Sequence, residues 1–249
     1  MGIGFARALP LRPRWTDQPE LMDVRGNEPT VLAENLADLR RVNRWLGGAH
    51  LTIRALERLT RDLRPGGQLT ILDVATGGAD IPRTVQVWAA TRGVRARVLA
   101  TDVNPDILRT AASMMVSPPR AVAEIRLAVA DARFLPLADG SVDIAMCSLA
   151  LHHLPPGDAV TMLREMRRVA RRGVIVNDLV RNWTGYLGAV LYGRFCTSNP
   201  LTRNDGPLSV RRAYTRREMA ALARRAGLGP VRFRGFLGYR VAMTAGAVP

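Results

Sequence analysis

An apolar run that ends on an acid and breaks into a turn of small side chains, Ile71-Leu72-Asp73-Val74-Ala75-Thr76-Gly77-Gly78-Ala79-Asp80, constrains this chain more than any other stretch. Helix-like sequence opens directly after it at Ile81-Pro82. Small side chains let a ligand lie against bare backbone, and the start of the next helix offers unpaired N–H groups at the positive end of its dipole. Strand, turn and helix together predict a nucleotide-type pocket. Dinucleotide dehydrogenases use a related glycine turn, so the turn alone leaves the cofactor open.

Acids recur at the ends of the strands that follow. Val98 to Asp102 reads as a second strand, with Asn104 as helix N-cap and Pro105 at the first helical position. An acid at that strand end is where a ribose presents its two hydroxyls. Asp131 follows a third strand, and a fourth, Val142 to Cys147, runs into Ser148-Leu149-Ala150-Leu151-His152-His153-Leu154.

In this succession the chain resembles the class I S-adenosylmethionine-dependent methyltransferases over roughly Leu69 to Ala245. LDVATGGAD looks like their glycine-rich first motif, ATDVNPDIL like the ribose-binding second, and ADARFLPLADGSVDIAMCSLALHHL like the adenine-binding third with the fourth strand. The resemblance implies S-adenosylmethionine as cofactor. It implies the backbone of Ala75, Thr76, Gly77 and Gly78 along the methionine part and Asp73 near the ammonium group. Asp102 and Val103 then fall at the ribose, Asp131 and Ala132 at the adenine, and Ser148 on the cofactor side of the fourth strand. Two of the family's usual glycines are here Ala75 and Ala79, which predicts slightly different backbone angles in the turn.

Alternating strands, read at 69–74, 97–102, 124–129, 142–147 and 173–178, and helices, read at 82–92, 105–115, 157–170 and 215–226, imply parallel pairing with right-handed crossovers. Two alternating runs from Val231 to Met243 read as a closing hairpin. The expected fold is α/β: a Rossmann-like, seven-stranded, mostly parallel sheet with a terminal antiparallel hairpin. Residues 1–63 form a helical N-terminal extension and 64–249 the methyltransferase core. Residues 1 to about 28 read as a loosely draped arm, carrying Pro10, Pro13, Pro19 and Gly26. Helices are expected from Val31 to Leu46 and from Leu51 to Leu63. An inserted segment, 180–214, gathers Trp183, Tyr186, Tyr192 and Phe195 and reads either as packing or as a lid over an aromatic acceptor.

A length of 249 residues with 47% hydrophobic content suits one sizeable α/β core. The two cysteines, Cys147 and Cys196, make neither a disulfide framework nor a metal cluster, so no metal and a reduced cytoplasm are expected. Gly2-Ile3-Gly4-Phe5-Ala6-Arg7 is too soon interrupted by charge for a signal peptide, and no window is long enough to span a bilayer. The formal charge of +15 invites a nucleic-acid reading. Every basic residue is arginine, however, in short scattered runs without interleaved aromatics, which favours a solvated basic surface over specific nucleic-acid contact, an anionic substrate or a membrane surface.

Methyl transfer is an in-line displacement at a sulfonium carbon, and a hydroxyl acceptor must also lose a proton. His152 and His153 sit past the fourth strand, where this fold presents its acceptor, and imidazole titrates near neutrality. Each can equally pack or bond to backbone. Asn177 and Asp178 end the fifth strand at the sheet's carboxyl edge, and Asn43 and Trp45 end the first long helix; with Tyr186 and Tyr192 they are the candidate acceptor residues. Arg181, Asn204, Asp205 and Tyr214 are further candidates to line or order the lid. The spacing of Asn43, Gly47 and His50 resembles an N-terminal motif of ubiquinone and menaquinone methyltransferases. RRVNRWLGG, NDLVRN and NDGPLSVRRAYT look like bacterial methyltransferases of secondary metabolism. The expected function is therefore O-methylation of a phenolic or polyketide-type small molecule. C-methylation of a quinone-like ring, an RNA methyltransferase and a non-catalytic cofactor-binding relative are the alternatives; the oligomeric state stays open.

Overall fold

The computed structural model describes residues 18–115 and 125–246. Among them lie strands β1 (Gln68–Val74), β2 (Arg95–Asp102), β3 (Ile125–Val129), β4 (Val142–Ser148), β5 (Ala170–Leu179), β6 (Val231–Phe236) and β7 (Arg240–Gly246). They form one sheet in the order β3-β2-β1-β4-β5-β7-β6, and β7 runs against its neighbours on both sides. The expected α/β architecture with its closing hairpin is what the chain adopts. Strand order reverses between β1 and β4, so successive crossovers diverge there and leave a crevice at the carboxyl ends of the strands.

Helices α1 (Pro29–Trp45), α2 (Gly48–Leu59), α3 (Asp80–Thr91), α4 (Pro105–Met114), α5 (Pro156–Val169), α6 (Trp183–Phe195), α7 (Pro200–Arg212) and α8 (Arg216–Arg225) cover the sheet and its edge. Side-chain alternation along β1 sends Leu69 and Ile71 into a core with Leu56 and Val85, and Leu72 and Val74 into another with Leu163 and Met166. Both faces are buried, which is why the central strands read as nearly continuous apolar runs. Sharp helix starts follow from local chemistry. Asn104 caps α4 through its side chain with Pro105 behind it, and Thr215 with Glu218 forms a capping box at α8.

The N-terminal segment departs from the draped arm read in the sequence. Leu21–Asp23 form a single 3-10 turn in which Met22 is buried, and Glu20 just before it is buried too. Asp205 on α7 accepts from Leu21 N at 2.8 Å and from Met22 N at 3.0 Å, fixing the turn. One turn has no period to detect, so the sequence pattern missed it. Pro10, Pro13, the Gly2 to Arg7 stretch and residue 124 of the expected third strand lie outside the described residues.

The inserted segment is a pair of helices, α6 and α7. Gly193 lets them close, since a Cβ there would stand 3.3 Å from Arg203 Cα. The pair is bonded to α1: Thr202 Oγ1 donates to Asp38 Oδ2 at 2.8 Å and Asn199 Nδ2 to Val31 O at 2.8 Å. Among the described residues, no helix is long and apolar enough to cross a membrane.

One buried cation joins these parts. Arg240 on β7 is wholly inaccessible; its Nε donates to Asn177 Oδ1 on β5 at 2.9 Å, and its Nη2 to Asn43 Oδ1 on α1 at 2.7 Å and to Ser148 Oγ on β4 at 3.0 Å. Burial pulls its pKa down to about 10, against the attraction of Asp178 and the charges near it. Arg240→Ala would strand three acceptors in a dry site, and the expected loss of unfolding free energy is about 3–5 kcal/mol. Chemical denaturation checks this; a loss within the range of an ordinary surface substitution would refute the role given to Arg240.

Candidate active site

The crevice above β1 and β4 is a cavity of about 1070 Å³. Its floor is the turn after β1. Ala75 (φ 53°), Gly77 (φ 53°) and Ala79 (φ 54°) all adopt left-handed backbone. Ala75 and Ala79 thus hold a conformation that glycine takes freely, at a strain of roughly 1–2 kcal/mol each. The surroundings over-determine the turn. Thr76 N donates to Thr101 O at 2.8 Å, and Gly77 N to Asp102 Oδ2 at 3.1 Å. Asn43, already held by Arg240, donates from Nδ2 to Asp80 Oδ2 at 3.0 Å and so binds the end of α1 to the start of α3.

Around this floor the structure brings Ala75, Thr76, Gly77, Gly78, Asp102, Val103, Asp131, Ala132 and Ser148 to the cavity wall, as the sequence placed them, and Asn43 with them. Asp73 stands one layer behind. Its Oδ2 accepts from Thr76 Oγ1 at 2.6 Å, while its buried Oδ1 has no hydrogen-bond partner. Burial pushes the Asp73 carboxyl up to about 8, with Asp80 and Asp102 adding to the shift and Thr76 opposing it. Burial raises Asp102 as well, though Asn104 N and Gly77 N both donate to it. Asp131 goes the other way. Arg133 donates to it from Nε at 3.0 Å and from Nη2 at 2.7 Å, and that bonding lowers its pKa.

A second stretch of the cavity wall is an ionic cluster. His152 is buried and its Nδ1 meets Asp178 Oδ1 at 2.6 Å; a carboxylate only accepts, so Nδ1 carries the proton and Nε2 is the free face. Asp178 also accepts from His152 N at 3.1 Å. His153 repeats the pattern with Asp23, Nδ1 to Oδ2 at 2.7 Å. Burial opposes a charge on His153, but Glu20 and Asp23 outweigh it and hold the imidazole up at about 10. Burial likewise works against the Asp178 carboxylate, yet the His152 contact keeps its pKa low.

Four of the acceptor-side expectations are placed differently. Trp45 is 69% exposed and off the cavity wall, because the last turn of α1 carries its side chain out to solvent. Tyr186 packs edge-on against Trp183, one helical face away from Tyr192, which does line the cavity. Asn177 is wholly buried under α2, donating to Gly48 O at 2.7 Å and Thr52 Oγ1 at 2.8 Å. Asp178 lies behind His152 and reaches the cavity only through it. Among the further candidates, Asp205 lines the cavity and fixes the N-terminal turn, with Asn204 donating to it at 2.8 Å. Arg181 ties Ala213 O to Glu218, and the Tyr214 hydroxyl donates to Leu154 O at 2.8 Å.

Residues 71–173 match the family model described as a methyltransferase domain. The ubiquinone/menaquinone biosynthesis C-methyltransferase UbiE of Laribacter hongkongensis is 28% identical over 140 residues, 55% of this chain and 53% of the relative, so the match spans about half of that relative's length. The enzyme of the same name from Acidiphilium cryptum is 28% identical over 195 residues, 73% of this chain and 75% of the relative. A crystal structure of an S-adenosylmethionine-dependent methyltransferase from Aquifex aeolicus shares the fold, with a TM-score of 0.60 at 18% identity over 87% of this chain and 98% of that one. Residues 71–173 of this chain are thus a methyltransferase domain, set in the fold that the S-adenosylmethionine-dependent methyltransferases share.

The cofactor's chemistry suits the floor of the methyltransferase domain: a buried carboxylate oxygen without a donor lies behind a turn of small residues, and the cofactor is a cation with an ammonium group. Polar residues on or behind the cavity wall escaped the sequence reading. Glu20 and Asp23 lie in the segment read as an arm, Arg240 in a strand read only for its hairpin, and Arg212 in one of many Arg-Arg pairs. The pairing of a lone arginine with an otherwise apolar final strand, RVAMTA, is the signal that marks Arg240.

The raised Asp73 carboxyl has a sign that can be tested. In the folded chain it keeps its proton up to about pH 8, whereas unfolded it ionises near 3.8. Between those values the folded state binds the extra proton, so the Asp73 contribution to stability falls as pH rises. Asp73→Asn removes that titration. The variant should match the parent near pH 4 and gain on it toward pH 8, by up to about 1.4 kcal/mol per pH unit. Thermal denaturation across this range measures the gap; a gap independent of pH would overturn the assignment.

Proposed function

We propose that this chain transfers a methyl group from S-adenosylmethionine to the hydroxyl oxygen of a small, largely apolar ring of phenolic or polyketide type, as a cytoplasmic step of secondary metabolism. The observation that carries the reading is the cavity itself. Its volume of about 1070 Å³ lies just above the range of roughly 300–1,000 Å³ typical of small-molecule pockets, room for a cofactor and a ring-sized acceptor. Leu39, Val42, Met162, Tyr192 and Val210 add apolar wall to the acid-rich floor and the histidines. Residues 1–63 cap the cofactor, 64–249 form the catalytic core, and 180–214 wall the acceptor.

Bound at the floor, S-adenosylmethionine supplies an activated methyl group on a sulfonium centre. In this reading Asp73 Oδ1 takes its ammonium group, the backbone of Ala75, Thr76, Gly77 and Gly78 borders the methionine part, and Ser148 flanks it from β4. Asp102 takes the ribose hydroxyls beside Val103, and Asp131 and Ala132 edge the adenine. His152 faces the acceptor hydroxyl with its Nε2, the ring held at Nδ1 by Asp178. His153, Asn43 and Asp178 hold the site in shape.

C-methylation of a quinone-like ring is the second reading, favoured because both curated relatives are named as C-methyltransferases. It uses the same ionised oxygen, which activates the neighbouring ring carbon, and the position of the new methyl in the product separates the two. The RNA reading draws on charge alone, and arginines such as Arg133, Arg168 and Arg172 are engaged with carboxylates.

Tyr192→Ala should weaken acceptor binding while S-adenosylmethionine affinity holds, and Tyr186→Ala, off the wall, should change neither. Calorimetry with each ligand reads both; an equal effect of the two variants on the acceptor would sink the assigned wall. His152→Ala should slow methyl transfer by about 10²- to 10⁴-fold with cofactor affinity retained, and the loss should shrink at high pH as the acceptor hydroxyl ionises unaided. A near-parental rate at every pH would show that His152 only packs.

A further inference from the structure

We propose that Glu20, His152 and His153 form a binding site for one first-row divalent cation, of which zinc fits best, at the acceptor end of the cavity. Three observations carry it. One ligand atom from each residue falls within 4.8 Å of those from the other two. Each imidazole is oriented for ligation, since Nδ1 of His152 is held by Asp178 and Nδ1 of His153 by Asp23, which aims both Nε2 atoms at the same carboxylate. Carboxylate–histidine–metal chains have this construction, the outer carboxylate fixing the tautomer and strengthening the ligand.

The third observation is the spacing. His152 Nε2 stands 3.6 Å from Glu20 Oε1, and His153 Nε2 stands 3.6 Å from Glu20 Oε2. That is too long for a hydrogen bond. Donors at about 2.1 Å from a shared zinc stand roughly 3.0–3.4 Å apart, so the two 3.6 Å pairs need to close by only a few tenths of an ångström and the widest pair, within 4.8 Å, by up to about 1.4 Å. Glu20 is 2% exposed and its Oε1 has no hydrogen-bond partner. The charges agree as well. Around the three carboxylates Glu20, Asp23 and Asp178 the Arg212 guanidinium, 3.7 Å from Glu20 Oε1, offsets one negative charge, and a dication that displaces the His153 proton offsets the other two. Two histidines and one carboxylate leave positions open to a ligand, and all three side chains line the cavity.

This deepens the proposed function and rests on it only for what arrives at the open position. There the acceptor's hydroxyl oxygen binds the cation and its O–H bond breaks, the proton passing to solvent water. The resulting oxyanion forms the new O–C bond as the methyl carbon's bond to sulfur breaks, leaving a neutral thioether. With the cation bound, the acceptor is ionised by the metal charge; direct proton transfer to His152 Nε2 belongs to the metal-free protein.

The test uses the untagged 249-residue chain, stripped with chelator and titrated with zinc, and separately with cobalt as a visible reporter, in the absence of acceptor and cofactor. Uptake of about one equivalent per chain is expected, with a cobalt absorption band. Glu20→Gln, close in shape, should abolish the band. Asp23→Asn, at the half-exposed residue that orients His153, should weaken affinity by about 10- to 100-fold and cannot be dismissed as a folding defect if circular dichroism is parental. His50→Ala, at an exposed histidine outside the cluster, should leave uptake unchanged. Substoichiometric uptake, parental affinity in Glu20→Gln and Asp23→Asn, or loss on His50→Ala would each overturn the site. Because uptake is read without any acceptor, a chain that binds zinc but methylates no phenol would leave this inference standing and remove only the proposed acceptor.

Discussion

The Arg240 guanidinium is the point through which the cap helices, the sheet and the glycine turn hold one another. It is wholly buried and its hydrogen bonds go to neutral acceptors on α1, β4 and β5, with Asp178 and Asp80 acting on it through space. A buried cation costs least where its donors find acceptors and the surrounding field is negative. The position of β7 between β5 and β6 meets part of that demand by laying Arg240 beside Asn177, while the buried Nη1 has no hydrogen-bond partner. The same network sets a local rule at α2: a Cβ on Gly48 would come within 2.4 Å of Asn43 Oδ1 and 2.8 Å of Arg240 Cζ, so the helix must start on glycine. Asn43 then hands the constraint on to Asp80 and the strained turn.

That turn and the strand ends beside it concentrate electrostatic cost at one edge of the sheet. Asp73, Asp80 and Asp102 all have carboxyls raised by burial, and Ala75 and Ala79 hold left-handed backbone. Strain and desolvated charge of this kind persist at binding sites because the rest of the fold over-determines them. Here the over-determination is visible in the two cores on either face of the sheet and in the buried polar bonds between α1 and α7.

The arginine-rich composition has a structural explanation that charge counting hides. Arg168 donates to Leu135 O and Leu137 O as well as to Glu165, Arg181 to Ala213 O and Glu218, and Arg203 to Gly193 O and Thr197 O. A planar fork of five donors can hold a helix end and a loop carbonyl at once, which lysine cannot do. Much of the positive charge is thereby spent on chain carbonyls and carboxylates near it in the fold.

The sequence by itself determined the parts that depend on local pattern. Apolar runs ending in acids at Asp73, Asp102 and Asp131, a small-residue turn, and caps such as Asn104-Pro105 specify parallel strands, crossover helices and the cofactor floor, because strand burial and helix capping are read within a few residues. Tertiary structure alone decided which distant polar groups meet. Period cannot reveal that Glu20 and Asp23, on a single turn, converge on His152 and His153, or that Arg240 crosses beneath Asn43. Nor can it tell that Tyr192 faces the cavity while Tyr186 and Trp45 do not, since α6 is apolar around much of its girth. Such contacts join segments far apart in the chain, and their partners are selected by the shape and charge of a buried edge that exists only once the sheet has formed.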